Sequence, residues 1–255
     1  MTQVERDAIV LVEGLGVYCK DCLPKGLYVY NGANWVTSIS VEGLFVEKDG
    51  LTYGVVLSTS TGETWLDRNL GATQVATSIS DADSYGDLYQ WGRATDGHEK
   101  RGSGAYWNAN KLDRVIANID RFYVLLLDSD APYNWVEHPI QNTLWKGLDG
   151  LNNPCPIGFR IPTQTELLDE VDVLEITNSA TAFNSILKLP SAGYRSRVNG
   201  QFYDIGTMGR YWTSSTDDVD STSISLVFST AATIEKDKVT DRTGGSSVRC
   251  IKNDD

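Results

Sequence analysis

Any chemistry in this chain has to come from a short list of side chains: 4 Cys, 2 His and a few carboxylate clusters among 255 residues. Cys19 and Cys22 form a C-x-x-C, the spacing of half a zinc site or of a thiol–disulfide pair. A closed zinc site needs four ligands, yet no second such pair follows and His98 and His138 are the only His. No βαβ pattern surrounds the pair, which argues against thioredoxin-like redox chemistry. Hydrolysis needs a nucleophile beside a base, and there is no G-x-S-x-G elbow. His98 sits in a polar Gly/Lys/Arg segment that reads as exposed, and His138, before Pro139, reads as a structural ring against Trp135. Asp81, Asp83, Asp217, Asp218 and Asp220 offer carboxylates for a glycosidase pair or a hard cation, but in Ser/Thr-rich loops such groups are ordinarily solvated. Asp81-Ala82-Asp83-Ser84-Tyr85-Gly86 imitates the start of an EF-hand, and the motif fails at its twelfth position, where Gly92 replaces the bidentate Glu. The expectation is a protein without catalytic residues, metal or cofactor.

Recognition by surface is better supplied. Ala192-Gly193-Tyr194-Arg195, Gly209-Arg210-Tyr211-Trp212-Thr213-Ser214-Ser215 and Ser246-Ser247-Val248-Arg249-Cys250 place rigid aromatics and glycines around residues 216–245, which contain no Trp or Tyr. Tyr and Trp give large rigid contact area at low entropic cost, and small polar residues give adaptable hydrogen bonds. The candidate ligand-binding residues are Tyr194, Arg195, Arg197, Tyr203, Tyr211, Thr213, Thr216, Asp217, Asp218, Asp220, Thr222, Ser223 and Lys236. Arg195 and Arg197, close to Tyr203, are suited to a carboxylate or phosphate on a partner. The competing reading is core packing for Tyr194, Tyr211 and Trp212, and plain solvated loop for the Ser, Thr and Asp positions.

The elements that must position these residues are short. Hydrophobic content of 41% with 22% charged residues describes a soluble globule able to bury a core, and a net charge of -12 repels nucleic acid. No stretch approaches the roughly 18 apolar residues of a membrane span, and Met1–Val12 shows no secretory h-region. Residues 1–41 read as a separate small unit. In it, a capping box at Thr2-Gln3-Val4-Glu5 starts a short helix through Ile9, and Gly26–Tyr30 turns at Asn31-Gly32 into Trp35-Val36 as a hairpin. Residues 42–255 form the main domain, with strands at Tyr53–Leu57, Thr64–Leu66, Leu88–Trp91, Ser223–Phe228 and Ser247–Ile251. A capping box at Thr163-Gln164-Thr165-Glu166 opens a helix over about 164–175, and a shorter helix is expected around Ala182–Leu187. Leu112, Val115, Ile116, Ile119 and Phe122 fit a helical stripe, whereas Tyr123–Leu127 reads equally as a buried strand. Residues 95–153 have no clear period, so they are either functional or pinned by aromatic packing. Cys155 and Cys250 flank the C-terminal half, as a disulfide closing a long loop or as two buried thiols.

Three further motifs precede the C-terminal ones: Gly62-Glu63-Thr64-Trp65-Leu66-Asp67-Arg68-Asn69-Leu70-Gly71, Tyr85-Gly86-Asp87-Leu88-Tyr89-Gln90-Trp91-Gly92-Arg93 and Asn153-Pro154-Cys155-Pro156-Ile157-Gly158-Phe159-Arg160-Ile161-Pro162-Thr163. In this order, over roughly residues 50–252, they resemble the Fibrobacter succinogenes major paralogous domain. The resemblance implies an α+β, C-type-lectin-like fold of the formylglycine-generating-enzyme branch, with short strands, two helices and long irregular loops, and Cys155 and Cys250 as its structural disulfide. Similar members are variable proteins of diversity-generating retroelements and receptor-binding tips of phage tails, in which the stretch before the Ser-Val-Arg-Cys ending carries the diversified binding residues. Copper-thiolate oxidase chemistry lacks further Cys here, and the Trp-Asn-Asp and Glu-Pro-Asn signatures of calcium-dependent sugar binding are absent. The leading unit, through Glu5–Ile9, Gly14-Leu15, Tyr18-Cys19 and Gly26–Trp35, resembles a short module of fibre-like and surface proteins of Bacteroidetes and their phages, which implies attachment or a homotrimer. The expectation is therefore a non-catalytic adhesin of a virion tail or bacterial surface, with a host surface protein or glycan as partner. The alternatives are a cell-envelope structural protein without a diversified site and, less favoured, an oxidase.

Overall fold

Turn residues at short intervals break this chain into brief strands, and the computed structural model describes residues 2, 16–19, 26–30, 35–40, 45–108, 110–117, 119–125, 134–136, 142–217 and 222–253. Two compact units emerge, Met1–Val55 and Val56–Asp255. In the first, β1 (Gly16–Cys19), β2 (Gly26–Tyr30) and β3 (Trp35–Ser40) form an antiparallel meander, with Tyr30 opposite Trp35 as the hairpin pattern predicts. The expected turn residues Asn31 and Gly32, Cys22 and the expected helix through Ile9 lie outside the described residues. β4 (Phe45–Lys48) and β5 (Leu51–Leu57) are joined by Asp49-Gly50 alone, at φ of 51° and 77°. Two successive positive φ values make the type I′ turn whose twist suits a hairpin, and Asp-Gly is among the pairs that adopt it most readily.

The second unit is mixed α+β, built mostly from strands, with two short helices and a curled antiparallel sheet. In chain order come β6 (Thr64–Leu66), β7 (Tyr89–Gln90), β8 (Ala105–Asn108), β9 (Phe122–Leu125) and β10 (Phe159–Arg160). The helices follow, α1 (Gln164–Val173) and α2 (Ser179–Asn184). The chain ends with β11 (Tyr194–Arg195), β12 (Phe202–Tyr203), β13 (Met208–Thr216), β14 (Thr222–Ser229), β15 (Ile234–Asp241), β16 (Gly245–Ser246) and β17 (Ile251–Lys252). β13, β14 and β15 make the curled sheet, with register shifts between Trp212 and Thr216 and between Ser225 and Val227. Such irregularities bend a strand and increase its twist. A second sheet runs β12-β11-β16-β7, β17 lies between β10 and β6, and β8 pairs with β9 in parallel.

The helices begin where side chains can cap them. At α1, Thr163 Oγ1 accepts from Glu166 N at 3.3 Å while the Glu166 carboxylate accepts from Thr163 N at 2.8 Å, the reciprocal pair that the sequence predicts. Leu167 and Val171, one turn apart, face the core. α2 starts three residues before the expected Ala182, because Asn178 caps it by accepting from Ala180 N and Thr181 N. Both helices pack on the curled sheet, enclosing Trp65, Leu187, Tyr211, Leu226, Phe228 and Ile251. Each such burial contributes on the order of 2 kcal/mol. A second cluster, around Tyr123, Trp135, Val136 and Leu144, underlies the irregular excursion. Of the two readings for this stretch, the strand forms at β9, and the expected strand residues 126 and 127 lie outside the described residues.

Indole N–H groups pin that excursion: Trp135 Nε1 donates to Trp91 O at 2.7 Å and Trp145 Nε1 to Arg93 O at 3.1 Å. Trp91 Nε1 in turn donates to Thr213 O at 2.9 Å, and Trp212 Nε1 to Tyr89 O at 2.7 Å. Among the described residues, no helix is long and apolar enough to cross a membrane. Cys155 and Cys250 form a disulfide that spans 95 positions. Replacing both by Ala is expected to lower the unfolding free energy by roughly 2–5 kcal/mol, seen as a lower denaturant midpoint. An unchanged midpoint would show that the crosslink constrains nothing.

Candidate functional site

Alternation sets the faces of the short hairpin β11–β12. Tyr194 pairs with Tyr203, and Arg195 with Phe202, so the two Tyr share one face and Arg195 and Phe202 the other. The connecting loop closes through Ser196 N to Gln201 O and Gly200 N to Ser196 O, both 2.8 Å. The Tyr194 and Tyr203 rings stack with centroids 5.8 Å apart, and Tyr203 remains 42% exposed.

Two glycines bring this hairpin onto β13. Gly193 and Gly209 form a parallel bridge, with Gly193 N donating to Met208 O at 2.8 Å. Gly193 sits at φ +71°, and a Cβ there would lie 2.4 Å from Tyr203 O; one on Gly209 would lie 2.3 Å from the Phe228 ring. The close approach lays the Arg210 guanidinium over the Tyr194 ring, 4.1 Å from its centroid. Between the hairpin and the ends of β13 and β15 opens a cleft of about 240 Å³, lined among others by Tyr194, Ser196, Arg197, Arg210, Thr240 and Asp241. Arg197 Nε meets Asp241 Oδ2 at 2.6 Å, which draws the Asp241 pKa down against the larger upward push of burial. Burial pushes the Arg210 guanidinium below its ordinary value, and the charges of Tyr194, Asp204 and Glu235 oppose that. Arg210 Nε is buried without a hydrogen-bond partner.

Four predicted residues therefore meet here: Tyr194, Arg197 and Tyr203 at the cleft and its rim, and Arg195 beneath it. Arg195 does not point its charge outward as expected. It is 3% exposed, donates to Gly200 O, Ser103 Oγ and Ser103 O, and lies against the Phe122 and Phe202 rings. Burial lowers its pKa to about 10. Tyr211, Thr213 and Ser223, expected on the exposed face, are buried instead. The reason is that β14 runs between β13 and β15 beneath the helices: Tyr211 stacks on Phe228, Thr213 Oγ1 donates to Ile224 O, and Ser223 Oγ accepts from Arg242 Nε. Thr216, Asp217 and Thr222 sit half-buried where β13 ends and β14 begins, with Thr222 opposite Asp241 and its Oγ1 donating to Asp217 Oδ2 at 3.3 Å. Lys236 pairs with Asp172 in a different groove, against α1. Asp218 and Asp220 lie outside the described residues.

Arg210 and Asp241 are the residues that the sequence reading missed. Once Tyr211 is assigned inward, period-two alternation turns Arg210 to the opposite face, so a signal existed. Asp241 becomes relevant only through the register of β15, which places it opposite Thr222.

The titratable groups elsewhere have structural work. His98, expected to be exposed, is fully buried: its Nδ1 meets Asp96 Oδ1 at 2.6 Å and its Nε2 accepts from Gln90 N at 3.0 Å. Burial first, and the Arg93 charge second, lower its pKa to about 3, so the ring is neutral with its proton directed at Asp96. Asp96, His98 and Glu99 hold potential ligand atoms within 4.8 Å of one another. The Arg93 cation already donates to Asp96 Oδ2 and Gly97 N to Glu99 Oε2, although Glu99 Oε1 is buried without a hydrogen bond. The trio is a strut between loops and fits a metal poorly. Asp81 accepts from Thr77 N, Thr77 Oγ1 and Gln74 Nε2 and so folds its own loop. His138 lies outside the described residues. Set against protein-family models, curated proteins and solved structures, the chain matches none of them.

Between the ordinary His pKa of 6.5 and about 3, the unfolded chain binds a proton at position 98 that the folded chain excludes. Stability therefore falls as pH drops through that window. His98→Asn is expected to flatten this slope in denaturant titrations at successive pH values. An unaltered slope would mean that His98 is not held neutral.

Proposed function

We propose that this chain is a non-catalytic binding protein that meets its partner at the cleft between the β11–β12 hairpin and the ends of β13 and β15. The observation that carries this reading is Arg210: a half-buried cation laid on Tyr194, with no acceptor for its Nε, beside the exposed Val198 and the exposed Tyr203 that stacks on Tyr194. Aromatic and Arg anchors in partly desolvated pockets are the residue types that dominate binding energy. The α+β architecture with two helices, a curled sheet and long irregular loops supports the C-type-lectin-like reading. So does the placement of the motif residues: Trp65, Asn69, Trp91, Arg93, Trp212 and Arg249 are buried framework, and the cleft lies at the edge of that framework. On this reading the setting is a phage tail tip or bacterial surface, the partner is a host surface protein or glycan, and the leading unit serves attachment or trimerisation.

Two physical points favour binding over catalysis. His98 is buried with both ring nitrogens engaged, so it has no path to a substrate. Cys155 and Cys250 are joined to each other, so neither offers the free thiolate that oxidase chemistry requires.

The test is binding of the purified protein to host surface extracts. Tyr203→Ala and Arg210→Gln are each expected to weaken it roughly tenfold or more, while Lys236→Ala, in the other groove, leaves it unchanged. Equal binding by all three variants would move the interface away from this cleft. The diversified form of the reading further predicts adenine-rich codons across residues 210–245, copied from a template repeat beside a reverse transcriptase gene. Their absence would leave a fixed binder.

A further inference from the structure

We infer that the Arg210 cleft binds the carboxylate of a sugar acid, one ring at a time. This deepens the binding reading above and rests on it for the role of the site.

The arginines are unequally supplied with acceptors. Arg93, Arg195, Arg242 and Arg249 are buried, and each donates to carbonyl, hydroxyl, amide or carboxylate oxygens of the chain, although Arg249 Nε goes without a partner. Arg210 spends none of its side-chain donors: no hydrogen bond or ion pair engages its guanidinium among the described residues, and its Nε is sealed from water. Glu235, whose charge reaches it through space, is bonded instead to Lys238 Nζ at 2.8 Å. A sealed Nε without an acceptor is costly, and an incoming oxyanion gains charge-assisted hydrogen bonds from a guanidinium that no acceptor of the chain yet engages. The Tyr194 ring and the Gly193–Gly209 bridge already hold the group in place, so little ordering is left for the ligand to bring about.

The remaining lining selects among oxyanions. The cleft wall carries Arg210, Arg197 and the Asp241 carboxylate, and the charges of Asp204 and Glu235 also reach Arg210, so a single negative charge is accommodated better than two; Arg195 is turned away onto Gly200 and Ser103. A phosphate dianion would bring its second charge against Asp241. Asp241 engages Arg197 through Oδ2, and its Oδ1 accepts nothing among the described residues, so it can receive a ligand hydroxyl. Thr240 and Ser196 also line the cleft, with the Thr240 hydroxyl engaged by Ser225 and the Ser196 hydroxyl accepting from Val198 N. Donors at one end and an acceptor at the other suit a carboxylate carried on a hydroxylated ring. The volume, about 240 Å³, lies below the ~300–1,000 Å³ of sites for drug-sized ligands and suits a single ring.

The experiment titrates the full chain with D-glucuronate, D-glucose, acetate, acetyl-aspartate and inorganic phosphate, by calorimetry and by amide chemical shifts. Expected are saturable one-to-one binding of glucuronate, at least tenfold weaker binding of the other four, and shifts confined to residues 194–198, 203, 210 and 240–244. Arg210→Gln is expected to weaken glucuronate roughly 10- to 100-fold, with Arg210→Lys in between, and Asp241→Asn to improve phosphate. Thermal melts check that each variant folds, and the shift map of the unaltered protein decides the matter where one does not. Equal binding of acetate or phosphate would reduce the cleft to a general anion site and overturn the inference. So would preference for acetyl-aspartate, no saturation by glucuronate, or shifts elsewhere. Should glucuronate fail while host binding still depends on Tyr203, only this inference falls. Should glucuronate bind without competing for host binding, the cleft stands and the receptor interface lies elsewhere.

Discussion

The last strand-forming stretch, residues 245–252, is the constraint on which the second unit depends. Gly245 pairs with both Gln90 and Arg195, and Ser246 with Tyr89. Ser247 N donates to Arg210 O, and Trp212 N donates to Ser247 O. Val248 O and Cys250 O accept from Leu70 N and Leu66 N, and Ile251 pairs with Arg160 and Trp65. Segments distant in sequence thus share one post, and the disulfide at Cys250 ties it to Cys155. The post admits little side-chain bulk at its start: a Cβ on Gly245 would lie 2.9 Å from both Arg195 Cβ and the Phe122 ring. Because most of these pairings are non-local, the chain can complete its core only when its end is in place.

The cleft follows from that post. Holding β11 on one side and β13 on the other, residues 245–247 set the distance at which Gly193 and Gly209 meet, and so put Arg210 over Tyr194. Elsewhere the same architecture satisfies its buried cations. Arg242 lies 4.2 Å over the Trp91 ring and donates to Ser223 and Asn142, and Arg249 donates to Leu187 O and Asn69 Oδ1. Arg249 Nε is also buried without a partner, so what sets Arg210 apart among the described buried and half-buried arginines is that none of its side-chain donors meets an acceptor. The stacked pair Tyr194 and Tyr203 extends from it towards solvent.

Local signals were legible in the sequence and non-local ones were not. The capping box at Thr163 fixed the start of α1, and the alternation before Asn31-Gly32 fixed the pairing of β2 with β3. The α2 boundary slipped because Asn178 is a stronger start than the apolar pattern suggests. For the site, composition pointed to the right third of the chain and to Tyr194, Arg197 and Tyr203. It could not separate Tyr211, Thr213 and Ser223 from an exposed face, since burial of β14 depends on helices and a neighbouring strand that arrive from elsewhere in the chain. His98 misled for the same reason: its polar surroundings in sequence become, in space, the partners that bury it.

Arg210, laid on Tyr194 with no acceptor among the described residues, is the group proposed to receive an external carboxylate. A crystal structure of the protein soaked in a sugar acid tests this most directly. The account predicts a carboxylate within hydrogen-bond reach of the Arg210 guanidinium, with the ring lying towards Asp241 and the Arg197–Asp241 pair intact. An empty cleft in which Arg210 instead pairs with Asp204 or Glu235 would contradict it.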